Sequence, residues 1–389
     1  MSEWSEVALE SLGAFSSGKG VKPGGDGPFV AFGSNGPIGF APESLHDGGV
    51  IIGRVGAYCG SVTISHEPFW ASDNTIVIEP AKADLDFLYY LLQNANLNRY
   101  AGGSAQPLVT QSILKSLKFS IPEAGGRSRI ASILRSIDDL IENNRRRVEL
   151  LEEMARAVYR EWFVHFRYPG HENIPLVDSE LGPIPEGWKV RTASEALHIN
   201  PRRPVKRDSA HSFITMGDLS EHGMSCFPSE LKSGSSGSKF ENGDTLFARI
   251  TPCLQNGKTG LVQCLEPGEV GRGSTEFVVM RGHLVGNAFT YALARSGEFR
   301  GHAIASMSGA SGRQRVRNEC FDSFHLACPP APLSELFEAV ADPLLREGQL
   351  LSTRSRALTE LRDLLLPRLV SGRIDVSDLD LDLVEEGAA

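Results

Sequence analysis

Two runs of cations stand out in an otherwise acidic chain: Arg202-Arg203-Pro-Val-Lys206-Arg207 and Arg313-Gln314-Arg315-Val-Arg317. Lys239 and Lys258 lie in Gly/Ser/Asn-rich stretches between them. Cations on loops can reach the phosphate oxygens of a nucleic acid, while Arg, Gln and Asn can pair with base edges in the major groove. Singly, each run reads as readily as a solvated surface; gathered in one half of the chain, they point to DNA. In the other half the candidates of the same kind are Ser34 and Asn35, in the glycine-rich loop Gly33-Ser-Asn-Gly36, and Gln106. Arg54 followed by Asp73, and Arg249 followed by Glu276, occupy matching strand contexts. They read as structural ion pairs in preference to direct DNA contacts.

Catalytic chemistry finds little support. A methyltransferase acting on base amines needs an Asn/Asp-Pro-Pro-aromatic motif, and neither Asn200-Pro-Arg nor Cys328-Pro-Pro-Ala fits. Asp218 with Glu230-Leu-Lys232 has the composition of a metal-dependent nuclease site, but so common a charge triplet carries little weight. Phosphate-loop, Gly-x-Ser-x-Gly and His-Glu-x-x-His motifs are missing from the sequence. The six cysteines are scattered singly, which suggests reduced thiols and no metal site.

The elements that must position these residues come twice, in one order. Trp4-x-x-Val7-x-Leu9 returns as Trp188-x-Val190 with Leu197, and the strand running into Arg54 returns as the strand running into Arg249. Phe87-Leu-Tyr89-Tyr-Leu91 returns as Phe289-Thr-Tyr291-Ala-Leu293, and Gln106-Pro-Leu-Val109 is echoed by Gln314-Arg-Val316. Each copy then reaches a proline, Pro122 or Pro330, ahead of a long helical pattern. Strand-like runs are short and bounded by Gly, Asn and Asp, so each half reads as mixed α/β. Asp84 is the expected N-cap of the helix that follows the first set.

The first long pattern places Ile130, Leu134, Ile137, Ile141, Asn144, Val148, Leu151, Ala155, Val158 and Trp162 at alternating steps of four and three, a heptad seam. Asn144, its polar member, reads as a solvated gap or as a register-setting contact. The second carries Phe337, Leu344, Leu351, Leu358 and Leu365 every seven residues, with Val340 and Leu361 at alternate positions. Pro343 should kink or restart this helix, and Pro367 with Gly372 should end it. The economical arrangement packs the helices antiparallel. A helix of about 35 residues spans ~50 Å, against ~34 to 36 Å for a turn of B-DNA.

The chain has 389 residues, room for two or three domains, and 41% hydrophobic and 22% charged residues, ordinary for a globular protein. Its net charge of −9 argues at first against nucleic acid. Asp375, Asp378, Asp380, Asp382, Glu385 and Glu386 account for six of those charges, however, in a tail that reads as solvated and disordered. No apolar run reaches the ~18 to 20 residues of a membrane span, and the acidic N-terminus does not read as a signal peptide, so a cytoplasmic location is expected.

With these residues in view, the chain resembles the specificity subunits of type I restriction-modification systems. The resemblance rests on Asn242-Gly-Asp-Thr-Leu-Phe-Ala-Arg-Ile-Thr-Pro-Cys-Leu-Gln-Asn-Gly-Lys258, on Gly273-Ser-Thr-Glu-Phe277, and on the stretch from Arg129-Ile-Ala-Ser-Ile-Leu to Arg160-Glu-Trp-Phe-Val-His-Phe-Arg167. Leu361-Arg-Asp-Leu-Leu-Leu-Pro-Arg-Leu-Val-Ser-Gly372 extends it, and Gly53-Arg-Val-Gly-Ala-Tyr-Cys-Gly60 and Gly103-Ser-Ala-Gln-Pro carry it into the first half. It implies an α+β protein: two target recognition domains (1–123 and 188–330) separated by a two-helix antiparallel coiled coil (124–167 and 331–372), with a linker (168–187) and an acidic tail (373–389). It further implies a subunit without catalysis of its own that reads a two-part double-stranded DNA target in defence against phage. The implied partners are two copies of an adenine N6-methyltransferase subunit using S-adenosylmethionine, and restriction subunits using ATP and Mg. The alternatives are a coiled-coil scaffold that ignores DNA, or a nuclease or methyltransferase of unrecognised type.

Overall fold

The computed structural model describes residues 4–20, 24–102, 107–205, 209–310 and 312–377. It forms two compact units, Met1–Glu142 with Arg356–Ala389, and Asn143–Ser355. The division falls inside both long helices, whereas the sequence reading cut the chain at their ends. Each unit therefore combines a globular part with a segment of each helix.

In the first unit, β1 (Trp4–Ala8) pairs with β9 (Lys118–Pro122). A four-stranded antiparallel sheet follows the order β2 (Ala14–Ser17), β8 (Thr75–Glu79), β5 (Gly49–Gly53), β6 (Val62–Ser65). A smaller sheet sets β3 (Phe29–Gly33) between β4 (Gly36–Ala41) and β7 (Phe69–Ala71). Helices α1 (Leu85–Asn94) and α2 (Gln111–Ser116) complete it, and α3 (Ala124–Tyr159) leads out of it. A short hairpin, β10 (Leu176–Val177) with β11 (Ile184–Pro185), lies in the expected linker.

The second unit repeats this topology. β12 (Lys189–Thr192) pairs with β21 (His325–Cys328), and the four-stranded sheet is β13 (Leu197–Ile199), β20 (Phe277–Gly282), β17 (Thr245–Ala248), β18 (Thr259–Leu261). The smaller sheet holds β15 (Glu230–Lys232), β14 (His211–Ile214) and β19 (Gly271–Gly273), with β16 (Ser238–Phe240) added at its edge. The helices are α4 (Ala193–Ala196), α5 (Asn287–Arg295), α6 (Gly297–Ala305) and α7 (Ala331–Leu369). The central strands β5 and β17 are buried along their whole length, because both faces are covered.

Helix segments run antiparallel within each unit. In the first, Ile130 and Leu134 of α3 share a core with Leu366 and Leu369 of α7 and with Leu88 and Leu91 of α1. In the second, Tyr159 and Phe163 pack on Phe337, while Val148 lies beside Gly348. Ile137 is buried, and Ile141, Asn144, Val148, Leu151 and Val158 are half-buried. The seam nevertheless departs from the heptad reading near its end, where Glu152, Ala155, Tyr159 and Phe163 are buried and Trp162 is only half-buried. The cause is a second neighbour: Phe163 also meets Phe289 of α5 and Trp188. On α7, Phe337 and Leu351 are buried and Leu344, Leu358 and Leu365 half-buried, but Val340 and Leu361 are exposed and Ala341, Leu345 and Gly348 take the inner positions. Pro343 does not interrupt α7; it is exposed, and water can satisfy the exposed Ala339 carbonyl that its missing N–H would have met.

Asp84 precedes α1 but makes no side-chain cap; Arg127 of α3 takes its carboxylate at 2.7 and 3.1 Å. The second unit reverses the roles, since Glu338 of α7 accepts the Ala288 and Phe289 N–H groups at 3.0 and 2.9 Å and so caps α5 from outside. Gly286 leaves the room, because a Cβ there would sit 1.9 Å from the Glu338 carboxyl carbon. Gly286→Ala and Glu338→Ala should each cost about 1 to 2 kcal/mol by loss of that cap. The double variant should cost no more than either single one in urea unfolding, whereas additive losses would dissociate the glycine from the cap.

Candidate nucleic-acid interface

The repeated topology fixes which residues correspond. Arg54 directly follows β5 and Arg249 directly follows β17. The Arg54 N–H donates to the Asn74 carbonyl and the Arg54 carbonyl accepts from the Val109 N–H; the Arg249 N–H donates to the Glu276 carbonyl and the Arg249 carbonyl accepts from the Val316 N–H. Asn74 and Glu276 are thus equivalent, and Asp73 corresponds to Thr275, one residue away from the alignment read in sequence. The same bonds make Leu108 the counterpart of Arg315, since Val55 bridges to the former and Ile250 to the latter.

That shift explains why the expected ion pairs do not form. Glu276 gives its carboxylate to Arg315, at 2.7 Å and 2.9 Å, which raises the Arg315 pKa. Arg249 donates instead to the Val316 carbonyl. Asp73 is exposed and forms no ion pair with Arg54 among the described residues.

In the second unit, Asn200, Arg202, Arg203, Lys239, Arg249 and Thr275 line a groove of about 680 Å³ floored by Phe277 and Val279. The 313–317 segment adjoins it through Arg249: Val316 bonds to Arg249 and the Thr251 N–H reaches the Gln314 carbonyl. Arg202 and Arg203 and the 313–317 segment, more than a hundred residues apart in sequence, therefore flank one strand end. Arg202, Arg313 and Arg317 are exposed there, and Gln314 is half-buried.

Other candidates hold the protein together. Arg203 reaches Glu241 at 3.2 Å and the buried Asp244 at 2.8 Å, and Arg281 meets Asp244 at 3.0 Å. Burial pushes the Asp244 carboxyl up to about 6, against the pull of the Glu241 amide and both guanidinium groups. Lys258 Nζ donates to the Met216 carbonyl at 2.9 Å, as Ser61 Oγ donates to the Ser34 carbonyl at 2.5 Å in the first unit. The two sites are equivalent, so the Lys258 amine is occupied by a turn rather than presented to a ligand. Sequence reasoning passed over Arg272, which is 1% exposed and donates to the Lys232 and Ser236 carbonyls, bracing the turn that leads to Lys239. Its isolation in a short strand gave no periodic signal.

In the first unit Asn35 is exposed at the β3–β4 turn, and Ser34 Oγ donates to the Asn74 carbonyl at 2.7 Å, tying that turn beside Arg54. Gln106, Lys206 and Arg207 lie outside the described residues.

The nuclease triplet does not converge. Asp218 accepts the Thr215 N–H at 2.6 Å and the Ser229 hydroxyl at 2.7 Å, while Glu230 pairs with Lys232. Among the described residues no cluster of three or more His, Cys, Asp or Glu could hold a metal.

Residues 1–153 match the family model described as type I restriction modification DNA specificity domain. The chain is 24% identical over 348 residues to the type I restriction enzyme MjaIX specificity subunit of Methanocaldococcus jannaschii, covering 85% of this chain and 79% of that one. It is 36% identical over 114 residues to the EcoprrI specificity subunit of Escherichia coli, 29% of this chain and 28% of the other. Over most of its length the chain is thus similar to type I restriction specificity subunits, and its first 153 residues match their DNA specificity domain. The fold of the chain is shared with the crystal structure of a type I restriction-modification system S subunit from M. genitalium, at a TM-score of 0.63 and 13% identity, over 95% of this chain and 96% of that one. The matched domain is one of DNA specificity. The second unit lies largely beyond the residues that match the family model, yet repeats the strand order of the first.

Removing the shared carboxylate leaves two cations without their buried partner. Asp244→Asn should therefore lower unfolding stability by about 3 to 5 kcal/mol, while Arg202→Ala at the exposed groove edge stays within about 0.5 kcal/mol. Denaturant titration of both variants checks the split; equal effects would mean that the two neighbouring arginines do not differ in role.

Proposed function

We propose that this chain recognises a two-part duplex DNA target, one part for each unit, and delivers partner subunits to it. The observation that carries the reading is the repeated strand end: Arg54 and Arg249 sit in the same backbone clamp, and the second lies between two cationic segments. A protein that holds the same recognition scaffold twice, with different loop chemistry on each copy, is suited to reading two different short sequences. Phosphate contacts from Arg202, Lys239, Arg313 and Arg317 would set the register, and side chains such as Gln314 and Asn35 would meet base edges.

The partners in this reading are two copies of a modification subunit, which methylates adenine N6 with S-adenosylmethionine after flipping the base, and restriction subunits driven by ATP and Mg. The long helices are where such subunits would dock, and they would also set the gap between the two parts of the target. The complex would act on cytoplasmic DNA. Among the described residues no helix is long and apolar enough to cross a membrane.

Single-molecule sequencing of N6-methyladenine tests this, in DNA from cells carrying the chain with and without a type I methyltransferase subunit. A split motif, two short defined halves around a fixed gap, is expected only when both are present. A motif written by the chain alone, in a host without related methyltransferases, would contradict a non-catalytic role. No new motif from a verified soluble complex would favour a scaffold that ignores DNA.

A further inference from the structure

Among the described residues, the arginine that closes the central strand of each unit carries a guanidinium nitrogen left unmatched, at the same place. The Nε of Arg54 and the Nε of Arg249 are both shielded from water without a hydrogen-bond partner. Neither arginine forms an ion pair among the described residues, although acids lie beside both: Asp73 is exposed, and Glu276 turns its carboxylate to Arg315. Leaving a shielded donor unmatched is destabilising, and here it happens twice.

The surroundings differ between the copies. Where the first unit has Ser61 and Asn74, the second has Lys258 and Glu276, and Leu108 corresponds to Arg315. The arginine and the backbone clamp around it are what the two share. Arg249 also lines the groove that Arg202, Lys239, Asn200 and Thr275 open to solvent. Arg249 is held by the Val316 carbonyl but meets no carboxylate among the described residues, and, fixed at the edge of a cationic groove, it is placed to receive acceptors from a ligand.

We infer that Arg54 and Arg249 are the fixed nucleic-acid contacts of their respective units, each presenting its planar guanidinium to one pair of adjacent acceptors on the duplex. The inference rests on the DNA-recognition reading above and deepens it. Two duplex features offer such a pair, the oxygens of a phosphate and the O6 and N7 edge of guanine.

The test uses the full chain assembled with its methyltransferase subunits, and as probes a duplex carrying the methylated motif's sequence and the same duplex with either half scrambled. Arg54→Met and Arg249→Met keep an unbranched stem and remove the charge; each should weaken binding to the intact target about tenfold to a hundredfold, with an unchanged melting temperature. If the contact is a guanine, replacing one G–C pair in the corresponding half weakens the wild type but not the variant. If it is a phosphate, the variant loses affinity for all duplexes alike and its salt dependence falls by about one contact. A folded Met variant that binds within twofold of the wild type overturns the inference. Arg249→Lys covers the case in which Met does not fold: lysine keeps the charge but not the fork, so full recovery of affinity and discrimination would also overturn it. A wild-type complex that binds intact and fully scrambled duplexes equally would instead take down the DNA-recognition reading itself.

Discussion

The strand end of each unit depends on a carboxylate of α3 held by donors from neighbouring helices, half-buried in the first unit and taken out of water in the second. In the first unit Asp138 accepts the Tyr90 hydroxyl at 2.7 Å and Arg362 of α7 at 2.7 Å. In the second, Glu152, 3% exposed, accepts the Tyr291 hydroxyl at 2.7 Å with Arg295 at 3.5 Å. Removing one partner of the buried Glu152 costs several kcal/mol, so this lock resists sliding of the helix over the globular part, and the half-buried Asp138 acts in the same sense more weakly. Apolar packing alone would allow a one-turn slip more readily than a charge that must find both its donors. The tyrosines come from α1 and α5, which pack on the central sheets, and so the lock also fixes the strands that end at Arg54 and Arg249.

The consequence is a division of labour within each unit. Helix segments, the α3 acid and the central sheet form the rigid body. Loops carried at the strand end supply chemistry that can vary: a serine-tied hairpin turn in the first unit, a lysine-tied turn and an added edge strand in the second. The Arg203–Asp244–Arg281 cluster shows how cations become part of the scaffold, while Arg202, its immediate neighbour, stays at the groove edge.

Much of this was legible in the sequence. The order of recurring strings announced the repeat, because a topology built twice needs glycines, strand runs and helix starts in the same order. The heptads announced the helices, yet not the whole of their buried faces. Where α3 meets both α7 and α5, the face rotates toward Tyr159 and Phe163, and a period alone carries no information about a second neighbour. On α7 the small residues Ala341 and Gly348 lie inside while Val340 and Leu361 lie outside, since close approach of two helices favours small side chains over the expected large ones. The ion pairs failed for a different reason. Sequence spacing aligned Asp73 with Glu276, whereas the strand-end hydrogen bonds align Asn74 with it, and a shift of one residue in an extended segment reverses which face a side chain occupies. Composition located the cationic runs but could not separate Arg202 from Arg203, a distinction set by Asp244 forty residues away.

The central claim is that nucleic acid is met at the ends of the two central strands and not along the helices. Site-specific photo-cross-linking measures this most directly. A photoreactive amino acid would be placed singly at Arg202, Gln314 or Asn35, and, for comparison, at Leu150 or Leu361 on exposed helix positions, in the full chain assembled with its methyltransferase subunits on target duplex. The account predicts cross-links to DNA from Arg202 and Gln314 within one half of the target, from Asn35 within the other, and few or none from Leu150 and Leu361. Cross-links confined to the helix positions, with none from the strand-end loops, would contradict it.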